Sequence, residues 1–429
     1  RVVDVDGAHI TPGIIDCHAH IAIRGGINEW TRNLTPEVTI EDEVDPDDVG
    51  IYRALAGGTT TARLLHGSAN AIGGRHEIIK LRWGSSAPEM VLQGAPRGVK
   101  FALGENPRQA NWGTGSRFPK TRMGVEISIR RAFEEARRYA SDWELYDAAL
   151  AAGDDPDPPR RDLRLEALGD ILAGDLHVHS HCYRAHEIVM LIRLAEEFGF
   201  KIATFQHVLE GYKVAREIGA HGGLGASTFI DWWGFKFEAY DAIPYNPALV
   251  HEAGVLMSIN SDSGDHIRRL YLEAAKAVRY GDVPREEALA MVTLVPAIQL
   301  GIDDRVGSLE VGKDADFAVF DRDPFDVRTR VMHTFIDGEL VFERAPGRYD
   351  AWVAELDARV AAGRGALLDA RRAEPEGLEA RALALTEGDL TALGRPLDAT
   401  RSPSTPARPP ARPLALVGGT VHTMDGAAG

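Results

Sequence analysis

The stretch Ile10-Thr11-Pro12-Gly13-Ile14-Ile15-Asp16-Cys17-His18-Ala19-His20 joins an apolar run to two histidines spaced two residues apart. The apolar run predicts a buried strand, in which residues i and i+2 point to the same face. His18 and His20 are therefore expected side by side, where two imidazoles can share a metal ion. The alternative is a pair that only makes hydrogen bonds inside a barrel, but the end of a first barrel strand favours the metal.

Further short apolar segments follow, and helical patterns separate most of them. This alternation is typical of repeated βα units. The eight strands of a closed barrel are predicted at residues 14–21, 59–65, 90–93, 99–103, 176–181, 202–206, 224–229 and 255–260. The helices are predicted at residues 45–56, 125–150, 186–198, 212–218, 247–253 and 284–300.

The predicted fold class is α/β, a (β/α)8 TIM barrel with a small and here incomplete β-sandwich appendage. The barrel is expected at residues 11–303, and the appendage at residues 1–10 and 304–345. A helical extension at 346–394 then leads to a linker at 395–413, where six prolines and four arginines favour an extended chain.

Composition excludes several classes of partner. The 429 residues include 48 basic and 64 acidic side chains, a net charge of −16, which argues against nucleic acid and anionic membrane surfaces as partners. No apolar run reaches the roughly 18 residues of a membrane span. The two cysteines each lie among histidines, so no disulfide framework is expected. The compartment stays open between cytoplasm, periplasm and secretion, and the oligomeric state, a homo-oligomer included, stays open too.

Four more candidate ligands lie at the ends of later strands: Lys100, His181, His207 and, after the strand at 255–260, Asp262. Any one of them alone is more often a structural hydrogen-bonding residue or a solvated lysine. Because the carboxyl ends of barrel strands meet at one rim, we expect these side chains to converge with His18 and His20. Such a ring of nitrogen and oxygen donors suits one or two divalent ions, zinc above all.

This order of residues resembles the amidohydrolase superfamily, in particular its imidazolonepropionase-related and Xaa-Pro dipeptidase-like branch. The resemblance runs from about residue 2 to residue 342. Besides the opening stretch, its motifs are Gly57-Gly58-Thr59-Thr60-Thr61, Ser261-Asp262-Ser263 and Gly307-Ser308-Leu309-Glu310-Val311-Gly312-Lys313-Asp314-Ala315-Asp316-Phe317. It implies a metal-dependent hydrolase that cleaves carbon–nitrogen bonds in small amides, cyclic amides or dipeptide-like compounds.

Carried over, the resemblance implies that His18 and His20 bind the more buried ion and that His181 and His207 bind the second. Lys100 would be a carbamylated bridge between the two ions. Asp262 would touch the first ion and act as the catalytic proton acceptor. His179 has the same facing as His181 and is the alternative ligand, and Glu105 is the carboxylate that could replace an unmodified Lys100.

The partner expected is a small-molecule substrate, whose identity the resemblance does not carry over. Its candidate contacts follow predicted strand ends, although each of them alone is more often ordinary loop packing: His66, Arg75, Arg184, Tyr212 and Trp232. The glycine-rich stretch 65–75 could present backbone donors to the substrate or be a structural loop. An imidazolonepropionase-like ring opener and an Xaa-Pro-type dipeptidase are the alternative activities. A catalytically silent metal-binding barrel is the rival from another class.

The tail 414–429 looks like the opening strand of another amidohydrolase sandwich. It either completes the sandwich of this chain or begins a second amidohydrolase module in a longer protein, and the second interpretation is the one we favour from the sequence.

Overall fold

The structure is a computed structural model that describes residues 2–109, 117–230, 232, 234–345, 354, 358, 415–417 and 420–421. Within these residues the strands are β1 Val2–Asp4, β2 His9–Pro12, β3 Ile14–Ala19, β4 Thr59–Leu64, β5 Ile72–Arg75, β6 Glu77–Lys80, β7 Gly98–Ala102, β8 His177–Cys182, β9 Ile202–His207, β10 Gly225–Thr228, β11 Met257–Ile259, β12 Phe317–Phe320, β13 Val331–Ile336, β14 Glu339–Glu343, β15 Ala415–Val417 and β16 Thr420–Val421.

The α-helices in the same part of the chain are α1 Val49–Leu55, α2 Ala87–Met90, α3 Glu105–Gln109, α4 Arg122–Ala152, α5 Leu163–Ala173, α6 Ala185–Phe198, α7 Ala215–His221, α8 Asn246–Glu252, α9 Leu270–Gly281, α10 Arg285–Ala290 and α11 Leu294–Leu300. All six helical segments predicted from the sequence contain helix. The last of them is two helices, and α2, α3, α5 and α9 were not predicted. Among the described residues, no helix is both long and apolar enough to cross a bilayer.

The barrel predicted from the sequence is present, with an attached β-sheet. Strands β3 and β4 pair in parallel, and β7 to β11 form a second parallel series. The gap between β11 and β3 is bridged by the Asp262 amide, which donates to the His18 carbonyl at 3.1 Å. The ends of the first and last strands are therefore held at the same rim.

The third strand position corrects the sequence prediction. Residues 90–93 make only an isolated bridge at Val91, after the short helix α2. The place between β4 and β7 is taken by β5 and β6, which run antiparallel to β7 and β4 respectively. Periodicity cannot distinguish a short apolar run in a helical turn from a buried strand, so residues 90–93 were assigned wrongly. The glycines of β5 are typical of a loop, which is why this strand was not predicted.

The appended sheet has the strand order β14-β13-β12-β2-β16. Ile10, Phe317, Val319 and Phe335 form its own small apolar cluster. Strands β13 and β14 form a hairpin, which turns at Asp337-Gly338 where both residues have positive φ. The tail adds β15 in parallel to β1 and β16 in parallel to β2, as it would if it completed this sheet. The linker 395–413, and the extension 346–394 apart from residues 354 and 358, lie outside the described residues.

A buried lysine ties the barrel to this sheet. Lys80, at the end of β6, has no exposed surface, and its Nζ donates to Asp314 and Asp337 at 2.6 Å and to Asp316 at 3.1 Å. Burial raises the pKa of Asp316 to about 6, although Lys80 acts in the opposite direction. The acidic run Asp314-Ala315-Asp316, which precedes β12, therefore has a structural role, since its carboxylates and that of Asp337 bind a barrel strand through Lys80.

We expect Lys80→Met to destabilise the protein by about 3–5 kcal/mol, because it leaves three neighbouring carboxylates without their buried cation. The free energy of unfolding from a urea titration measures this loss. The matched control is Arg24→Gln, which removes a surface ion pair to Asp45 and should cost about 0–1 kcal/mol. Equal effects of the two substitutions would contradict a structural role for the Lys80 network.

Candidate metal centre

The predicted ligands lie on four barrel strands and one following loop. His18 and His20 lie at the end of β3, Lys100 on β7, His181 on β8, and His207 ends β9. His207 and Asp262 both adopt positive φ, 73° and 46°. A non-glycine residue in this region is uncommon and often marks a functional position, because surrounding structure must hold it there.

Hydrogen bonds on the outer ring nitrogens orient the first two histidines. His18 Nδ1 contacts Gln206 Oε1 at 3.0 Å, and His20 Nδ1 contacts the Leu65 carbonyl at 2.9 Å. Fixing one ring nitrogen in this way aims the other, Nε2, at the centre of the ring of ligands. Gln206 therefore supports the site from the strand that ends in His207.

Three of the predicted residues bring their donor atoms within 4.8 Å of one another: His18, His207 and Asp262. The Asp262 carboxylate lies 3.7 Å from Nε2 of His18 and 3.7 Å from Nε2 of His207. His20 Nε2 is 3.1 Å from the same carboxylate, and the His181 ring lies 4.8 Å from the His207 ring. In the described part of the chain, His18, His20 and His207 thus surround a single aspartate, and His181 joins the group through its contact with His207.

Lys100, on β7, contacts the same group of ligands through His18. Its Nζ lies 3.0 Å from His18 Nε2 and donates to the His66 carbonyl at 3.1 Å, and the residue is fully buried. Burial lowers the pKa of Lys100 to about 7, although Asp262 acts in the opposite direction. Burial disfavours the charged form of an amine, and neighbouring imidazoles offer no negative charge to offset this effect.

The histidines are held neutral by the same surroundings. Burial, followed by the charge of Lys100, lowers the pKa of His18 well below its usual value. Burial also lowers the pKa of His207 to about 3, although Asp262 opposes it, and lowers that of His181 well below the ordinary range. Although burial alone would raise the pKa of Asp262, the imidazoles of His207 and His20 lower it overall. Neutral imidazoles beside an ionised carboxylate are the form in which these groups bind metal.

Buried ring nitrogens provide the test of fit. Among the described residues, neither nitrogen of His207 has a hydrogen-bond partner, nor has Nδ1 of His181. Buried polar atoms are rarely left unsatisfied in this way unless an ion or water meets them. The donor set, imidazole and carboxylate with no thiolate nearby, fits a zinc-like divalent ion.

The two alternative ligands are not brought to this group. His179 lies two residues deeper on β8, where its Nδ1 contacts Thr204 Oγ1 at 2.7 Å and its ring packs 5.2 Å from His76. Glu105 is buried at the start of α3, and its amide donates to Glu238 at 2.9 Å. The alternation of side chains along β8 could not show which of His179 and His181 is the ligand, because both face the barrel interior.

Three of the five candidate substrate contacts make hydrogen bonds elsewhere in the protein. His66 accepts from the Glu29 amide at 2.9 Å, Arg75 donates to the Pro36 carbonyl at 3.2 Å, and Tyr212 donates to the Asp241 carbonyl at 3.0 Å. Arg184 lies 3.8 Å from Glu210, and its Nε has no hydrogen-bond partner in the described chain. The bonds of His66, Arg75 and Tyr212 agree with loop packing, the other interpretation considered from the sequence.

Trp232 has a place nearer the ligands. Its ring packs 4.7 Å from Phe229, and Phe229 packs 5.1 Å from His207. Its indole nitrogen donates to His266 at 2.8 Å. Tyr183 and Phe235 belong to the same group of rings, so an aromatic wall flanks the histidines on this side.

The glycine-rich stretch 65–75 is structural in most of its backbone. The amide of Gly67 donates to the Ile27 carbonyl at 2.5 Å, and those of Ala69 and Ala71 donate to the side chains of Asn28 and Asn33. These bonds use the donors that could have faced a substrate. The stretch instead anchors the loop at 27–35 over the barrel and ends in β5.

A cavity of about 550 Å³ opens directly above the ligands. His20 and Asp262 line it, together with the loop residues Asn28 and Trp30 and with Asn106 of α3. Asn106 was not singled out from the sequence, and neither was Lys236, whose Nζ donates to Asn106 Oδ1 at 3.0 Å. Both follow strand ends by several residues, so no spacing rule marks them.

Comparisons with known proteins agree with this geometry. A solved structure, an amidohydrolase from Thermotoga maritima MSB8, is 34% identical, covers 80% of this chain and 90% of its own, and superposes with a TM-score of 0.72. This chain belongs to the amidohydrolase superfamily. The family model described as "Amidohydrolase family" matches residues 245–341, which include Asp262 and the acidic run. As an amidohydrolase, the chain is a hydrolase of carbon–nitrogen bonds.

Two curated amidohydrolase relatives span most of the chain. Amidohydrolase tasK of Hapsidospora irregularis is 32% identical over 366 residues, which is 80% of this chain and 37% of that protein. An imidazolonepropionase of Thermoplasma volcanium is 24% identical over 365 residues, 80% of this chain and 85% of that enzyme. The chain thus spans little more than a third of the length of its fungal relative.

We expect His18→Ala to lose at least one tightly bound zinc equivalent, because His18 belongs to the group whose donor atoms lie closest together. His179→Ala is the matched control, since it removes a buried barrel histidine that bonds to Thr204 instead. Metal analysis after dialysis against zinc compares the two. Full zinc content in His18→Ala, or equal loss in both variants, would contradict the assignment of the site.

Proposed function

We propose that this amidohydrolase cleaves carbon–nitrogen bonds in small amides, cyclic amides or dipeptide-like compounds, using one or two divalent ions, with zinc as the native metal. The single observation that supports this is that donor atoms of His18, His207 and Asp262 lie within 4.8 Å of one another, and that Asp262 also lines an open cavity. A structural zinc site is closed by four protein ligands, whereas this one opens to a space of substrate size.

His18, His20, His181, His207 and Asp262 would hold the metal. A divalent ion bound there would lower the pKa of a bound water molecule and polarise the carbonyl group of the substrate. Asp262, at the rim of the cavity, takes a proton from the attacking water and passes it to the leaving nitrogen. The carbon–oxygen bond forms, the carbon–nitrogen bond breaks, and the products are a carboxylic acid and an amine.

Lys100 is proposed to carry a carbamate. Its nearest partners are an imidazole nitrogen and a carbonyl, so a charged ammonium would face no carboxylate within hydrogen-bond distance among the described residues. Reaction of the neutral amine with carbon dioxide forms a carbon–nitrogen bond and releases a proton. The product is an anion, which would offer oxygen ligands to bound cations instead of repelling them.

A ring-opening activity is the second candidate. The relation to an imidazolonepropionase extends over 365 residues and most of both chains. Hydrolysis of a cyclic amide uses the same attack and the same proton transfer, with the amine remaining attached to the product. A panel that includes cyclic amides therefore tests both candidates together.

We expect the zinc-loaded protein to hydrolyse at least one class among N-acyl amino acids, dipeptides and hydantoin-like rings. Asp262→Asn should lower kcat for that substrate by about 10²–10⁴-fold, because the proton acceptor is lost. Asp265→Asn is the control, since this exposed carboxylate pairs only with Arg268 and Arg269 among the residues described. Inactivity of the wild type across the panel would favour the silent metal-binding barrel.

We expect ¹³C NMR of protein prepared in labelled bicarbonate to show one carbamate signal. Lys100→Met should abolish this signal and the second zinc equivalent, because the bridge is removed. Lys236→Met, which removes another partly buried lysine near the site, should retain both. A wild-type spectrum without a carbamate signal, in protein that holds two zinc ions, would rule out the modification.

A further inference from the structure

Asn106 and Lys236 form a polar pair beside His181. Asn106 lies on the short helix α3 and lines the cavity with Asp262 and His20. Its Oδ1 accepts from Lys236 Nζ at 3.0 Å, and its Nδ2 lies 3.5 Å from His181 Nε2. Neither residue is used by the reaction as derived so far.

The chemistry of lysine fixes which way the amide points. An ammonium has three donors and no acceptor, so the Asn106 atom that meets Lys236 must be the carbonyl oxygen. A flipped amide would set NH₂ against NH₃⁺, with two donors facing each other. The NH₂ group of Asn106 is therefore directed towards the histidines and the cavity.

Lys236 is itself firmly held. Its Nζ lies 4.3 Å from the centre of the Tyr183 ring and 5.3 Å from that of Phe235, which are distances typical of cation–π contacts. Glu238 Oε1 is 3.5 Å away, while the other oxygen of this buried carboxylate pairs with Arg122 at 2.9 Å. The lysine thus has one hydrogen bond in the described chain, and that bond orients Asn106.

Metal binding would leave the Asn106 NH₂ group without an acceptor on His181. If Nε2 binds the ion, its lone pair is consumed. If Nδ1 binds, Nε2 carries the proton and is itself a donor. In both cases the amide donor faces the cavity, and among the described residues no carboxylate or carbonyl accepts from it. An oxygen atom of a ligand bound in the cavity would accept this hydrogen bond from the Asn106 NH₂ group.

We propose that Asn106 is a catalytic residue that donates a hydrogen bond to the substrate carbonyl oxygen, and that Lys236 is the positioning residue that aims it. The inference rests on the proposed hydrolysis and adds a donor to it. As water adds to the carbonyl carbon, negative charge develops on this oxygen, and a preoriented donor stabilises the oxyanion more than the planar substrate.

The kinetic test uses the substrate found in the hydrolysis panel. Asn106→Ala should lower kcat by about 10²–10³-fold, as removal of one oxyanion donor does, with KM changed far less. Lys236→Met should lower kcat by a smaller factor, and Lys236→Arg should restore most of it, because arginine is also a donor without an acceptor. The control is Gln109→Ala, an exposed residue of the same helix that lines the same cavity.

A binding test separates this inference from the proposed function. Calorimetry with zinc-loaded protein and methylphosphonate, whose tetrahedral oxygens mimic the oxyanion, should give about tenfold weaker binding or more for Asn106→Ala than for wild type or Gln109→Ala. Zinc content and thermal midpoint should be equal in all three. Asn106-dependent binding in a protein that hydrolyses nothing in the panel supports the donor and counts against the proposed function. Equal affinities in the variants, or no binding by the wild type, would overturn the assignment.

Discussion

The site depends on the burial of several basic groups around a single carboxylate. His18, His181, His207 and Lys100 are buried in the barrel interior, and the Nε2 atoms of His18, His20 and His207 lie 3.1–3.7 Å from the Asp262 carboxylate. Taking imidazoles out of water disfavours their protonated form, so their lone pairs stay open. A cation bound among them would supply the missing charge, so we expect metal binding to stabilise the folded chain.

This arrangement requires the first and last barrel strands to meet in one register. Asp16 provides that constraint, because one of its oxygens accepts from the amides of His18 and Ser261, both at 3.1 Å, and the other accepts from the Ser261 hydroxyl at 2.5 Å. Burial raises the pKa of Asp16 to about 6, although these hydrogen bonds act in the opposite direction. Asp16, two positions before the ligand His18, therefore links the first and last barrel strands and positions Asp262. The same hydrogen bonds thus determine both the closure of the barrel and the geometry of the site.

The parts of the site that the sequence predicts are those with strand periodicity. His18, His20 and His181 follow from alternation along buried strands, and Asp262 from its place after the last of them. Periodicity fails where the backbone departs from βα repetition, as in the antiparallel β5 and β6. Periodicity also cannot predict the hydrogen bond between Asn106 and Lys236, because the two residues lie 130 positions apart in sequence. Contacts of that kind are set by tertiary packing.

The two fully buried lysines show why sequence alone leaves chemistry open. Both end or occupy apolar strands, in Glu77-Ile78-Ile79-Lys80 and in Gly98-Val99-Lys100, and both have no exposed surface. Lys80 forms ion pairs with three carboxylates, whereas Lys100 contacts an imidazole and a carbonyl. The balance of charge around each amine, which only the folded chain determines, makes the first a structural clamp and leaves the second available for reaction.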